Sequence, residues 1–160
     1  MREPSRLVVA ALVGGAVLAI DQMTKSRIVA DLRGQPALTV IDPWFRLEYA
    51  ENRGIAFGML PGSRWLLAAV ALAVLVLVAV HVRDRWYTSW LVVVGAAMVF
   101  SGAIANAWDR LRFGHVVDYI AIGAWPNFNV ADTAISVGIV LLVVDALLHP
   151  HPRIEAQHHG

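Results

Sequence analysis

Cysteine is absent from this chain. Disulfides, thiolate metal ligands and a cysteine nucleophile are therefore excluded. Charge is scarce as well: Asp, Glu, Lys and Arg supply 16% of the 160 residues, against about 25% in soluble domains. Neither sign dominates. The net charge is +1, with no electrostatic footprint for nucleic acid. There is no H-E-x-x-H, so a zinc protease of that type has no support. Internal repeats and low-complexity tracts are lacking too. What remains is apolar: 58% of the residues are hydrophobic, and mean hydropathy is +0.61. A soluble fold of this composition would have too little polar surface to cover its core, which points to a membrane protein. The length suits one domain or one small helical bundle.

Four apolar stretches stand out, and they predict a membrane all-α core of four transmembrane helices at about 7–24, 65–82, 87–108 and 130–148. The whole chain, 1–160, then forms a single integral membrane domain. The first stretch, "LVVAALVGGAVLAI", follows Arg2 and Arg6 and has the look of a secretory signal peptide. No convincing small-x-small cleavage site precedes "DQMTK", so an uncleaved span is expected. Two substantial connections, about 25–64 and 109–129, lie on one side of the membrane. Their β-branched, alternating runs predict a small sheet. Counting Lys and Arg near the span ends puts these large connections in the cytoplasm.

The polar residues concentrate at the membrane boundary. Asp21 and Lys25 are four apart and share a helix face; so do Asn106 and Arg110. Asn129 and Asp132 are three apart at the start of the last span, and Asp118 stands alone in "VVDYI". Each has a structural explanation. Asp21 with Lys25 can be an interfacial ion pair, and Arg110 can snorkel to headgroups. Asn129 can cap the last helix while Asp132 complements its dipole. Asp145 is expected to pair with an arginine of the "RDR" turn at 83–85.

A chemical reading needs Asp118 and Asp132 together. Two adjacent carboxylates cannot easily both ionise, so they share one proton near neutral pH. One then activates a water while the other donates to a carbonyl. Such a pair cleaves an amide without metal or covalent intermediate, and no cofactor is implied. Spacing alone does not single these two acids out. Ser26 beside Lys25 does not make a dyad, because neighbours on a helix point apart.

Taken in order, the motifs resemble the signal peptidase II family, the lipoprotein signal peptidases, which are intramembrane aspartyl peptidases of bacteria. "DQMTK" is similar to the family's D-Q-x-T-K, "NRGIAFG" to N-x-G-x-A-F, and "SGAIANAWDR" to G-G-A-x-G-N-x-x-D-R; "VVDYI" and "FNVAD" resemble its two aspartate motifs. The resemblance covers nearly the whole chain. It implies Asp118 and Asp132 as the catalytic pair. Asn52, Gly54, Asn106, Arg110 and Asn129 would line the site or orient substrate, and Asp21 and Lys25 would give structural support. It further implies diacylglyceryl-modified prolipoproteins as substrates, cut just before the lipidated cysteine, with membrane lipid and globomycin-type inhibitors as other partners. The implied setting is the bacterial inner membrane, with cytoplasmic termini, a small extracytoplasmic β-cradle and a site near the outer leaflet. That orientation is opposite to the charge count. Ser101, Ala105 and Ile55 depart from the family pattern, without touching the proposed acids.

Two other classes remain open at this level. A small proton-coupled transporter or channel would use the buried acids as a relay. A structural membrane subunit would use the polar residues only to bind partners. Peptide release from a lipidated substrate separates both from a peptidase.

Overall fold

The structure, a computed structural model, describes residues 3–54, 72–73, 75–76, 78–80, 82–83, 85–86 and 88–149. Its elements in chain order are α1 (Glu3–Leu32), β1 (Leu38–Ile41), β2 (Phe45–Asn52), α2 (Trp90–Phe113), β3 (Val116–Ile122) and α3 (Val130–Leu148). Among the described residues, three helices are long and apolar enough to cross a membrane: Ser5–Leu32, Trp90–Phe113 and Val130–Leu148. The chain is thus a mostly helical membrane protein carrying a small sheet. The second expected span, 65–82, lies largely outside the described residues. Of its described part, Val78 and Val82 are buried against Val92, Ala96, Val99 and Leu142.

α1 runs eight residues past its expected end at 24, to Leu32. Nothing in "DQMTKSRIVADL" breaks a helix before Gly34, which takes a left-handed φ of 76°. Asp21, Lys25 and Ile28 are buried and recur at helical spacing, so the buried stripe of α1 continues through the polar motif. α2 begins at Trp90 rather than 87 and extends to Phe113 rather than 108. It closes on Gly114, whose φ is 76° and whose N–H donates to Arg110 O. Arg110 and Arg112 sit in its last turn, where cations complement the helix dipole.

α2 and α3 run antiparallel at close range because glycines face backbone. A Cβ added to Gly95 would lie 2.9 Å from Gly138 O, and one on Gly102 would lie 2.5 Å from Ala131 O. Gly95 and Gly102 are seven apart, as are Ala131 and Gly138, so two contacts two turns apart set the register. The serine and alanine that depart from the family pattern are accommodated in α2, Ser101 on the side towards Gly14 of α1. Ser101 is buried and its hydroxyl donates to Ala97 O, while Ala105 is 1% exposed.

The strands form one antiparallel sheet in the order β1-β2-β3. β1 is exposed and β3 mostly buried. Ile28, Val117 and Tyr119 hold the sheet against the C-terminal end of α1, with Val130 of α3 packed beside them. Leu47 opposes Ile120, whereas Ala50 opposes Asp118, so β2 spends one residue more than β3 over this interval. The resulting bulge puts the small Ala50 across from Asp118 and leaves space in front of the acid.

Candidate active site

Asp118 lies in the middle of β3 and Asp132 in the first turn of α3. Both border one cavity of about 960 Å³, together with Asn52, Gly54 and Arg110. Its wall is amphiphilic: Glu51, Arg53 and Arg110 contribute charge, while Trp125, Phe128 and Val137 are apolar.

Three asparagines hold the two acids, and each is oriented by an obligatory donor. Gly54 N–H donates to Asn52 Oδ1 at 3.1 Å, which turns Asn52 Nδ2 towards Asp118 Oδ2 at 2.9 Å. Asp132 N–H donates to Asn129 Oδ1 at 2.9 Å, so Asn129 Nδ2 faces Asp118 Oδ1 at 2.7 Å. Lys25 Nζ, a donor only, bonds Asn106 Oδ1 at 3.1 Å, so Asn106 Nδ2 meets Asp132 Oδ1 at 2.7 Å. Asp132 Oδ2 completes a capping box by accepting from Asn129 N–H at 3.2 Å. The capping reading and the site reading of Asn129 therefore coexist. One amide caps α3 with its oxygen and grips Asp118 with its nitrogen.

Behind this layer lies a buried charge cluster. Lys25 Nζ is 2.8 Å from Asp21 Oδ2 and 2.8 Å from Asp109 Oδ2. Asp21 Oδ1 also accepts from Ala131 N–H at 2.9 Å, so α1 holds the start of α3 directly. Asp109 and Gln22 were not singled out from the sequence. Asp109 lies three residues after Asn106 on the same helix face, a spacing available in "NAWD". Gln22 Nε2 reaches Asp109 Oδ1 at 3.0 Å. Tyr119, next to Asp118, donates to Thr24 Oγ1 at 2.7 Å. Four residues of "DQMTK" thus tie α1 to α2, β3 and α3. Arg110 stands at the rim, its guanidinium 3.5 Å from Gly54 O. The nine residues that the family resemblance places at the site or in its support all fall in this one network.

Burial pushes the Asp118 carboxyl up from 3.8 to about 6, and the negative charge of Asp132 adds to the push. The amides of Asn52 and Asn129 and the Lys25 ammonium oppose it by favouring the ionised form. Two carboxylates facing one cavity can, when one of them holds a proton, activate water and polarise a carbonyl together. Among the described residues, no group of three or more His, Asp or Glu has metal-ligand geometry.

Known proteins resemble this chain over most of its length. Residues 13–148 match the family model described as signal peptidase (SPase) II. A lipoprotein signal peptidase of Syntrophus aciditrophicus is 36% identical over 156 residues, covering 92% of this chain and 96% of its own. That of Halothermothrix orenii is 34% identical over 128 residues, covering 80% and 88%. A solved bacterial membrane enzyme superposes with a TM-score of 0.75 at 26% identity, covering 87% of this chain and 92% of its own. A second superposes at 0.72 with 23% identity, a likeness of fold. With the match spanning everything from the first helix to the last, and relatives this similar over most of both chains, the chain belongs to the signal peptidase II family.

Proposed function

We propose that this chain is an aspartic endopeptidase that removes the signal peptide from diacylglyceryl-modified prolipoproteins, cutting before the lipidated cysteine. Family membership supports a protease acting on prolipoproteins. The observation that carries the aspartic mechanism is the bridging amide of Asn129, which bonds Asp118 while its oxygen accepts from the backbone of Asp132. That bridge brings both acids to one cavity at the start of an apolar helix.

In this mechanism Asp118 holds a proton and donates it towards the scissile carbonyl, while ionised Asp132 takes a proton from water. The hydroxide adds to the carbonyl carbon. Collapse of the tetrahedral intermediate breaks the C–N bond, and Asp132 passes its proton to the leaving amine of the cysteine. Proton return from the diol restores Asp118. Asn52, Asn106 and Asn129 keep the carboxylates in place, and Arg110 and Gly54 form the substrate-facing rim.

The same reading makes 1–160 one integral membrane domain with a fourth span at 65–82. Its termini are cytoplasmic, the sheet is an extracytoplasmic cradle, and the site lies near the outer leaflet of the inner membrane. A substrate anchored by two acyl chains arrives sideways from lipid with its scissile bond at headgroup depth, so the acids must sit at the end of a span. Purified protein should cleave a diacylglyceryl lipopeptide and leave its unlipidated counterpart intact. Asp118→Asn or Asp132→Asn should abolish cleavage with the fold retained. Turnover by either variant at more than a few per cent of the parent rate overturns the assignment.

A further inference from the structure

A second charged cluster borders the cavity, centred on the carboxylate of Glu51 near the end of β2. Glu51 Oε2 accepts from Arg53 Nη2 at 2.8 Å, and Oε1 accepts from the Tyr49 hydroxyl at 2.9 Å. Arg33, just past α1, lies 3.7 Å from Oε1, and His115, just before β3, lies 3.8 Å from it. Arg33 also covers the Tyr49 ring at 5.6 Å. Three separate pieces of the chain, the end of β2, the end of α1 and the start of β3, thus meet on one carboxylate. An isolated pair with the exposed Arg53 would contribute little, whereas a shared acceptor restrains every group that bonds it.

What makes the cluster consequential is its place in the sequence. Glu51 and Arg53 flank Asn52, whose amide donates to Asp118. That amide is turned the right way only while Gly54 N–H stays on Asn52 Oδ1. Locking the side chains of 51 and 53 together fixes the backbone between them and the N–H that follows. The contact from Arg110 to Gly54 O, at 3.5 Å, is too long to do this alone.

We infer that Glu51 is a positioning residue for the proposed reaction: by clamping Arg53 it holds the Asn52–Gly54 turn so that the Asn52 amide stays on Asp118. The inference rests on the peptidase reading for its effect on rate, but its structural core does not. Hydrogen bonds from Arg53 and Tyr49 hold the Glu51 carboxyl below its usual range, so the clamp is ionised at neutral pH. The charged groups that act on Asp118 itself, Asp132 and Lys25, are untouched by any change at 51.

The test is the proton affinity of Asp118 in the full chain in lipid nanodiscs. It is read by infrared titration of the carboxyl band that Asp118→Asn removes, beside the pH profile of lipopeptide cleavage. Glu51→Ala should move the Asp118 titration upward by about one pH unit, towards the position of Asn52→Ala, a tenfold change in proton affinity. Cleavage should slow several-fold while the melting temperature holds. Glu51→Gln, which keeps an acceptor without the charge, should restore most of the parent behaviour. An unchanged titration in Glu51→Ala overturns the inference. So does a downward shift, which would mean that Glu51 acts only as a negative charge. If the parent protein titrates as described but cleaves no lipopeptide, the peptidase reading falls and the clamp is still decided by the infrared band.

Discussion

Asn52, Asn106 and Asn129 present their amide nitrogens to the two acids, and in each case the choice of face is forced from behind. Donors that cannot accept, namely an ammonium and two backbone N–H groups, occupy the oxygens. These amides favour ionised carboxylates, while burial and the Asp132 charge favour a protonated Asp118. The balance at about 6 is visible in two measurements. Loss of the Asp118 proton should make kcat/KM for a lipopeptide fall as pH rises above about 6. The limb in kcat should lie higher, because bound substrate deepens the burial. A rate profile flat from about pH 5 to about pH 8 contradicts the assignment of Asp118 as the proton donor. Stability follows the same group. The folded carboxyl holds its proton more tightly than the unfolded one, so its contribution is complete below 3.8 and is lost as pH rises to about 6. The loss amounts to about 3 kcal/mol. Asp118→Asn should remove this pH dependence from the melting temperature. Motif order was enough to propose the two acids, and the structure brings them to one network. The relay from Lys25 through Asn106 was not legible, because 81 residues separate those partners in the chain.

At the scale of elements, the decisive contact is between α2 and α3, since α3 carries Asp132 and α2 carries Asn106. Gly102 allows it: an added Cβ would meet Ala131 O and Ile135 Cγ1. Backbone cannot rotate away as a side chain can, so Gly102→Ala must push the start of α3 outward. The expected cost is about 1–3 kcal/mol. Lipopeptide cleavage should fall by more than the loss of folded protein explains, as Asp132 leaves Asn106. Gly15→Ala, with open space at its Cβ, should retain activity and stability. Parent-like cleavage by Gly102→Ala would show that the close approach does not set the site. The helices were legible as apolar runs, though with shifted ends. α1 continues to Leu32 because its polar motif is buried by partners absent from any local window.

Over the whole molecule, polar side chains are buried at both ends of the helices, with different duties. At the end opposite the cavity, Arg6 donates to Trp86 O at 2.7 Å and to Ser89 O at 3.2 Å, while its guanidinium lies 4.7 Å from the Trp90 ring centre. Asp145, fully buried, lies 3.3 Å from Arg85, the pairing expected from the "RDR" turn. Asp145→Ala leaves Arg85 without its buried partner and should cost about 3–5 kcal/mol. The folded fraction should keep its lipopeptide kcat and its pH profile, because no part of this end reaches the cavity. A changed pH limb in Asp145→Ala would mean that the two ends are coupled through the helices.

Local composition and order determined a great deal here. The apolar runs require a membrane, since no soluble surface could cover them. The strand-like connections predict a sheet, and five short motifs in sequence identify the family and point to the two proposed acids. Tertiary structure alone decided how those motifs meet. Hydrogen bonds across 11 to 110 residues of chain cannot be read from periodicity, which reports only what one element does with its own neighbours. The bulge that clears space before Asp118, the capture of the start of α3 by Asp21 and the entry of Asp109 into the charge cluster all belong to that second level. Each depends on where another element has already come to rest.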